Sequence, residues 1–177
     1  MGTTADIKRS VPVIGGIKNN HKLSVALTAA LTAIANAATE IIKTPWIYSP
    51  RNRLGLTFRF TIVGTVSNSE GTSKTFTVQL VIGGVTIADV VMTVANGATN
   101  VPFHIEGFMT LQSISRATGT FKGSAVVLQN AVAVDVDAIA DATCNTSARM
   151  QLQIKGVSSH ANCAATIVAA AIEVLHA

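Results

Sequence analysis

The sequence predicts an all-β protein built as an antiparallel β-sandwich or barrel, and two alternating stretches carry that prediction. Leu54, Leu56, Phe58, Phe60 and Ile62 are apolar at every second position, separated by Gly55, Thr57, Arg59 and Thr61. After a polar turn at residues 67–73, the pattern resumes in Phe76, Val78, Leu80 and Ile82. Successive side chains of a strand point to opposite faces, so a period of two buries one face and wets the other. One-sided burial belongs to antiparallel sheets, whereas parallel sheets are covered on both faces and read as continuous apolar runs.

The remaining elements follow in order. Residues 1–24 read as an extended arm, because Pro12, Gly15, Gly16 and Asn19-Asn20 break any helix and the apolar residues show no helical face. Its Val11, Val13, Ile14 and Ile17, with the cations Lys8, Arg9, Lys18 and Lys22, suit a segment that lies on another protein. Residues 25–42 are Ala-rich and compatible with a helix by propensity, but frequent Thr and the lack of a strong cap set strand against helix there. Residues 43–50 read as an edge strand, with Trp46 and Tyr48 on one parity between Pro45 and Pro50. Gly83-Gly84 supplies a tight turn into residues 85–94, and residues 95–100 form a loop. Phe103, Ile105, Gly107, Met109 and Leu111 mark the next strand, and residues 115–119 turn the chain into a strand at 120–129. Met150, Leu152 and Ile154 mark another, and residues 167–175 close the chain. Roughly eight or nine strands result, for which the eight-stranded sandwich is the jelly roll.

Composition narrows the function. Only 12% of the 177 residues are charged, against about 25% in an ordinary soluble domain. No continuous apolar run approaches the roughly 20 residues of a membrane helix, so the reading is a subunit that buries much of its surface in an assembly. The net charge of +4 is uneven: residues 1–59 hold eight basic and two acidic residues, the rest five basic and seven acidic. The basic residues of the arm are too dispersed, and too short of stacking aromatics, for a nucleic-acid stripe. Lys22 and the apolar run to Ala37 imitate a secretory signal but start about twenty residues late, behind Pro12 and Gly15-Gly16, so synthesis in the cytoplasm is expected.

The chemistry-bearing candidates are weak. Asp135, Asp137 and Asp141 lack the calcium-loop Gly and Glu, since Ala140 and Thr146 stand at those places, and they read as solvent-facing carboxylates. His104 and Glu106 share a strand face without a nucleophile or orienting group. His21, His160 and His176 have no ligand spacing with each other or with Cys144 and Cys163, so no metal or cofactor is expected. The two cysteines read as half-buried thiols, with a pair between adjacent strands as the alternative. Trp46 and Tyr48 read as core or arm-docking aromatics before a sugar platform.

From about residue 33 to 176, the order of elements resembles the jelly-roll module of many tailed-phage structural proteins. The likeness runs through the Thr/Ala-rich stretch 33–48, the strand at 54–66, and residues 77–86 ending in Ile82-Gly83-Gly84-Val85-Thr86, followed by Asp89. It continues in Val101-Pro102-Phe103-His104-Ile105-Glu106-Gly107, Thr110-Leu111-Gln112-Ser113-Ile114 and Thr118-Gly119-Thr120. Residues 150–154 before Ser158-Ser159-His160-Ala161-Asn162, and the terminal Ile172-Glu173-Val174-Leu175, complete it. Residues 1–32 have no counterpart, which divides the chain into an N-terminal arm, 1–32, and a jelly-roll domain, 33–177. The resemblance also makes 33–42 an irregular first strand.

What the resemblance implies is a non-enzymatic virion component. The expectation is a homotrimeric capsid decoration, or cement, protein that binds the major capsid protein partly through Lys8, Arg9, Val11, Val13, Ile14, Ile17, Lys18 and Lys22. No nucleic-acid, membrane or cofactor partner is expected. The alternative is a tail- or head-fibre module that recognises host glycans through loops 67–73, 95–100 and 156–162.

Overall fold

Phe58, Phe60 and Ile62 lie in strand β4 (Thr57–Asn68), where inward residues are buried and their neighbours reach solvent. The computed structural model describes residues 23–27, 30–47 and 54–175, with the backbone alone at 23, 24, 32, 33, 134–138, 140 and 141. Ahead of β4 come β1 (Leu23–Ala26), β2 (Leu31–Ile34) and β3 (Thr39–Lys43). After it come β5 (Lys74–Ile82), β6 (Val85–Val94), β7 (Val101–Ser115), β8 (Thr118–Gln129), β9 (Val132–Asn145), β10 (Leu152–Ser158) and β11 (Cys163–Leu175). The described elements are all strands and every named pair is antiparallel.

They form two sheets. The larger runs β1-β11-β4-β7-β8-β9, with β2 also on β11, and the smaller runs β3-β10-β5-β6. If the hairpin β8–β9 and the short β1 are set aside, the first, eighth, third and sixth strands face the second, seventh, fourth and fifth. That is the jelly-roll order, so the fold is an antiparallel jelly-roll β-sandwich. The β8–β9 hairpin widens the larger sheet beyond β7, and β9 curls over to pack against β6.

The core between the sheets holds Phe58, Phe60, Phe103, Ile105, Met109 and Phe121 from the larger sheet. Phe76, Val78, Leu80, Met92, Leu152 and Ile154 meet them from the smaller one. The rings of Phe76 and Phe103 meet across the sheets at 5.7 Å, and those of Phe58 and Phe121 meet at 5.9 Å. Gly64 makes room for one of these rings, since a Cβ there would strike the Thr166 carbonyl and come within 2.9 Å of Phe103. Bulges keep the apolar phase where a perfect period would lose it. In β11 the inward residues are Cys163, Ala165 and Ile167 before the irregularity, and Ala170, Ile172 and Val174 after it.

Several expectations are corrected here. The Ala-rich stretch is no single irregular strand: a bend after Ile34 sends β2 to the larger sheet and β3 to the smaller. Of the edge strand expected at 43–50, residues 44–46 add no strand beyond Lys43, and residues 48–50 lie outside the described residues. Pro45 offers no N–H, and pairing resumes only as a bridge between Ile47 and Met150. Leu54 lies in the turn before β4 and is 57% exposed. Residues 132–145, assigned no strand from the sequence, form β9. Leu23–Ala26 pairs with β11, while residues 1–22 lie outside the described residues.

The turns follow residue chemistry closely, with two exceptions, Arg116 at φ 54° in the β7–β8 turn and Ala131. Gly83 and Gly84 take φ of 60° and 84° in the β5–β6 hairpin, the left-handed pair that glycine accepts freely. The β8–β9 hairpin asks the same of Asn130 and Ala131, at 50° and 61°. A left-handed alanine costs about 1 kcal/mol, so Ala131→Gly is expected to raise stability by about 1 kcal/mol in denaturant titration. Gly64→Ala is expected to lower it by about 1–3 kcal/mol through overpacking.

Candidate functional site

The register across the larger sheet lines up outward-facing residues that lie far apart in sequence. Glu173 of β11 pairs with Arg59 of β4, Arg59 with Phe108 of β7, and Phe108 with Ser124 of β8. In the adjacent rank Ala171 pairs with Thr61, Thr61 with Glu106, and Glu106 with Val126. These two ranks line an open groove of about 630 Å³ on the outer face. Four strands spaced about 4.8 Å apart make it about 14 Å wide. The volume falls within the range of small-ligand sites.

Phe108 is the unusual residue of the groove. Five of the six phenylalanines are in the core, and Phe108 is 47% exposed. Burying such a ring is worth about 1.5–3 kcal/mol, and the fold leaves part of that unrealised. Around the ring stand a guanidinium (Arg59), two carboxylates (Glu106, Glu173) and two hydroxyls (Thr61, Ser124). Together they supply hydrogen-bond donors and acceptors beside an apolar plate. The sequence carried one unread signal for it. The phase set by Phe103, Ile105, Met109 and Leu111 places Phe108 on the wet side, where an aromatic is out of pattern.

The next rank is more apolar. His104 pairs with Val63 and Leu128 on the same outer face, and its Nε2 is buried without a hydrogen-bond partner among the described groups. His104 and Glu106 share that face as expected, with Glu106 in the groove and exposed.

The loops proposed for glycan recognition do gather at one end of the sandwich, but they are occupied with each other. The buried Asn68 donates through Nδ2 to the carbonyls of Thr72 (2.9 Å), Val94 (3.0 Å) and Ala95 (3.2 Å). The Gly71 N–H donates to Asn96 Oδ1 at 3.0 Å, and the Asn100 N–H to Ser67 Oγ at 2.9 Å. Glu70 Oε2 accepts from Asn162 Nδ2 and lies 2.8 Å from His160 Nδ1. Loops 67–73, 95–100 and 156–162 are therefore cross-braced, and much of their polar capacity is spent internally.

The other candidates separate. Lys8, Arg9, Val11, Val13, Ile14, Ile17, Lys18 and Lys22 lie outside the described residues, as do Tyr48, His21 and His176. So do the side chains of Asp135, Asp137 and Asp141. Trp46 is 56% exposed, which corrects the expectation of core packing; the arm it was alternatively expected to dock lies outside the described residues. Cys144 and Cys163 are both free and both buried, more deeply than expected. Cys144 Sγ donates to Met150 Sδ at 3.8 Å, and burial pushes its thiol up to about 11. Among the described residues, no three His, Cys, Asp or Glu stand together as a metal site.

No protein-family model and no curated protein matches the chain. Among solved structures, it is similar to the CBM2 module of the evolved Dit of Lactobacillus casei BL23 phage J-1, at 8% identity and a TM-score of 0.39, covering 84% of this chain and 76% of that one. It is also similar to a legume lectin-like domain from Entamoeba histolytica, at 8% identity and a TM-score of 0.38, covering 87% and 89%. Sheep galectin-11 in complex with glycerol follows at 11% identity and a TM-score of 0.28, covering 85% and 99%. The jelly-roll assignment rests on the strand order, not on these superpositions.

Two outcomes are expected. Asn68→Ala strips three carbonyls of their donor and lowers stability by about 2 kcal/mol, measured in denaturant. The Cys144 thiol ionises at 9.0 in the unfolded chain and at about 11 in the fold, so its contribution is complete below pH 9 and declines as pH rises towards 11. Cys144→Ala should flatten that alkaline decline when denaturation midpoints are compared across the interval.

Proposed function

We propose that this protein is a non-enzymatic structural component of a tailed-phage virion, acting as a homotrimeric capsid decoration protein. The observation that best supports this reading is the outer face of the smaller sheet. Val157 pairs there with Thr77 and Thr77 with Val91, and Thr75 pairs with Thr93. Together they form an uncharged patch in which Val91 is 37% exposed. Such a face accepts a neighbouring subunit without desolvating charge, the costly part of burying a polar surface. It also accounts for a chain with only 12% charged residues.

In this reading the trimer packs through that face. The arm, with Lys8, Arg9, Lys18 and Lys22 and the apolar Val11, Val13, Ile14 and Ile17, lies on the major capsid protein. An arm tethered to a docked domain binds at high effective concentration, so modest contacts suffice. A second reading, a fibre or receptor-binding module for host glycans, is favoured by the groove on the opposite sheet.

The expected result in light scattering is a trimer. Thr77→Arg combined with Val91→Lys should weaken association by well over about tenfold while leaving each subunit folded; a wild-type monomer would contradict the proposal. Removing residues 1–22, which spares β1, should leave the trimer intact and abolish capsid binding in co-sedimentation. Retained capsid binding would remove the arm from the mechanism.

A further inference from the structure

We infer that the groove on the larger sheet is a binding site for neutral pyranose oligosaccharides, with Phe108 as the platform on which a sugar ring lies. The inference rests on the glycan-recognition reading and fixes both the site and the class of sugar.

Phe108 is 47% exposed, and its position on the sheet is set by backbone pairing on both sides, to Arg59 and to Ser124. An aromatic fixed on a strand loses little further entropy on binding, unlike one on a mobile loop. The face of the ring is negative, and the axial C–H groups of a pyranose carry slight positive charge, so the two stack. The alternative of a purely apolar ligand fits poorly, because polar groups crowd the plate. Glu106 accepts hydrogen bonds, Arg59 donates them, and Thr61 and Ser124 do either. Sugars present both kinds of group around each ring, and charge-assisted bonds to their hydroxyls are the stronger kind.

Charge then selects among sugars. The groove lining holds Glu106 and Glu173 against Arg59, a surplus of one negative charge. A carboxylated sugar would meet repulsion there, whereas a neutral one meets none. The braced loops are the rival site, and their polar groups are already paired with one another. Phe108, Thr61, Ser124 and Glu106 open onto a groove volume of about 630 Å³.

The test is calorimetric titration of the full chain with lactose, cellotriose, maltotriose and the N-acetylglucosamine trimer, with sialyllactose as the acidic counter-probe. At least one neutral oligosaccharide is expected to bind and sialyllactose is not. Phe108→Ala should weaken that binding by about tenfold or more, and Phe108→Trp should keep or strengthen it. Both variants alter an exposed side chain, and their unchanged melting would show that folding is not what was lost. Neutral-sugar binding that survives Phe108→Ala but is lost in Asn162→Ala would overturn the groove and leave glycan recognition standing at the loops. Tighter binding of sialyllactose would overturn the charge argument. A blank response to the whole panel at millimolar sugar would overturn both the groove and the reading on which it rests.

Discussion

The irregularity between Ile167 and Ala169 in β11 governs the larger sheet. β11 lies between β4 and the short strands β1 and β2, so its phase is transmitted to neighbours on both sides. Before the bulge the odd residues Cys163, Ala165 and Ile167 face the core; after it the even residues Ala170, Ile172 and Val174 do. Without the extra residue, one half of the strand would turn its aliphatic side chains to water. Val168, at the bulge itself, is 58% exposed. The same offset sends Ala171 and Glu173 outward into the ranks of Thr61 and Arg59. Core and groove are thus set by one backbone feature, and neither can be rephased without the other.

The two outer faces of the sandwich differ in character for reasons visible in their cross-strand pairs. On the smaller sheet, Thr77 lies between two valines and Thr75 beside Thr93, a surface that is β-prone and uncharged. Charge enters it in the rank of Glu40, Lys155, Gln79 and Asp89, where opposite signs stand close together. On the larger sheet, charge and apolar surface are mixed within single ranks, with Arg59 directly between Glu173 and Phe108. Uniform surfaces suit burial against a copy or lattice. A mixed surface, with a ring left in water, suits a small ligand that is itself part apolar and part hydroxylated.

Much of the sandwich was legible because alternation is local. β4, β5, β7 and β11 each show several inward aliphatic or aromatic residues at a spacing of two, and one-sided burial requires no knowledge of the partner strand. β2 and β3 were read as one irregular strand because Ala35-Asn36-Ala37-Ala38 between them carries no period, so the bend left no mark. β9 was hidden because its alternation of Val with Asp read as solvated carboxylates. Trp46 and Pro45 drew the eye to a strand that lacks the N–H to continue. Pattern alone marks only Phe108 of the groove, an aromatic on the wet phase of β7. The other lining residues come from strands more than a hundred positions apart at the extremes, and each, taken singly, is an ordinary outward residue of an amphipathic strand. Only register brings Glu173 to Arg59 and Arg59 to Phe108.

The geometry also makes the two readings of this protein compatible. The smaller sheet's outer face and the groove lie on opposite sides of a two-layer sandwich, each layer about 10 Å from the next. A subunit that packs through the first turns the second away from its neighbours and towards solvent. The widening of the larger sheet by β8 contributes to this arrangement, since β8 supplies Ser124 and Val126 to the groove and lies outside the eight-strand frame. The added hairpin therefore enlarges the face that points outward while leaving the smaller sheet, and the surface proposed for assembly, at four strands. Oligomerisation through the uncharged face would also repeat the groove around the assembly axis, so weak individual sugar contacts would act together on a surface that presents many copies of the same glycan.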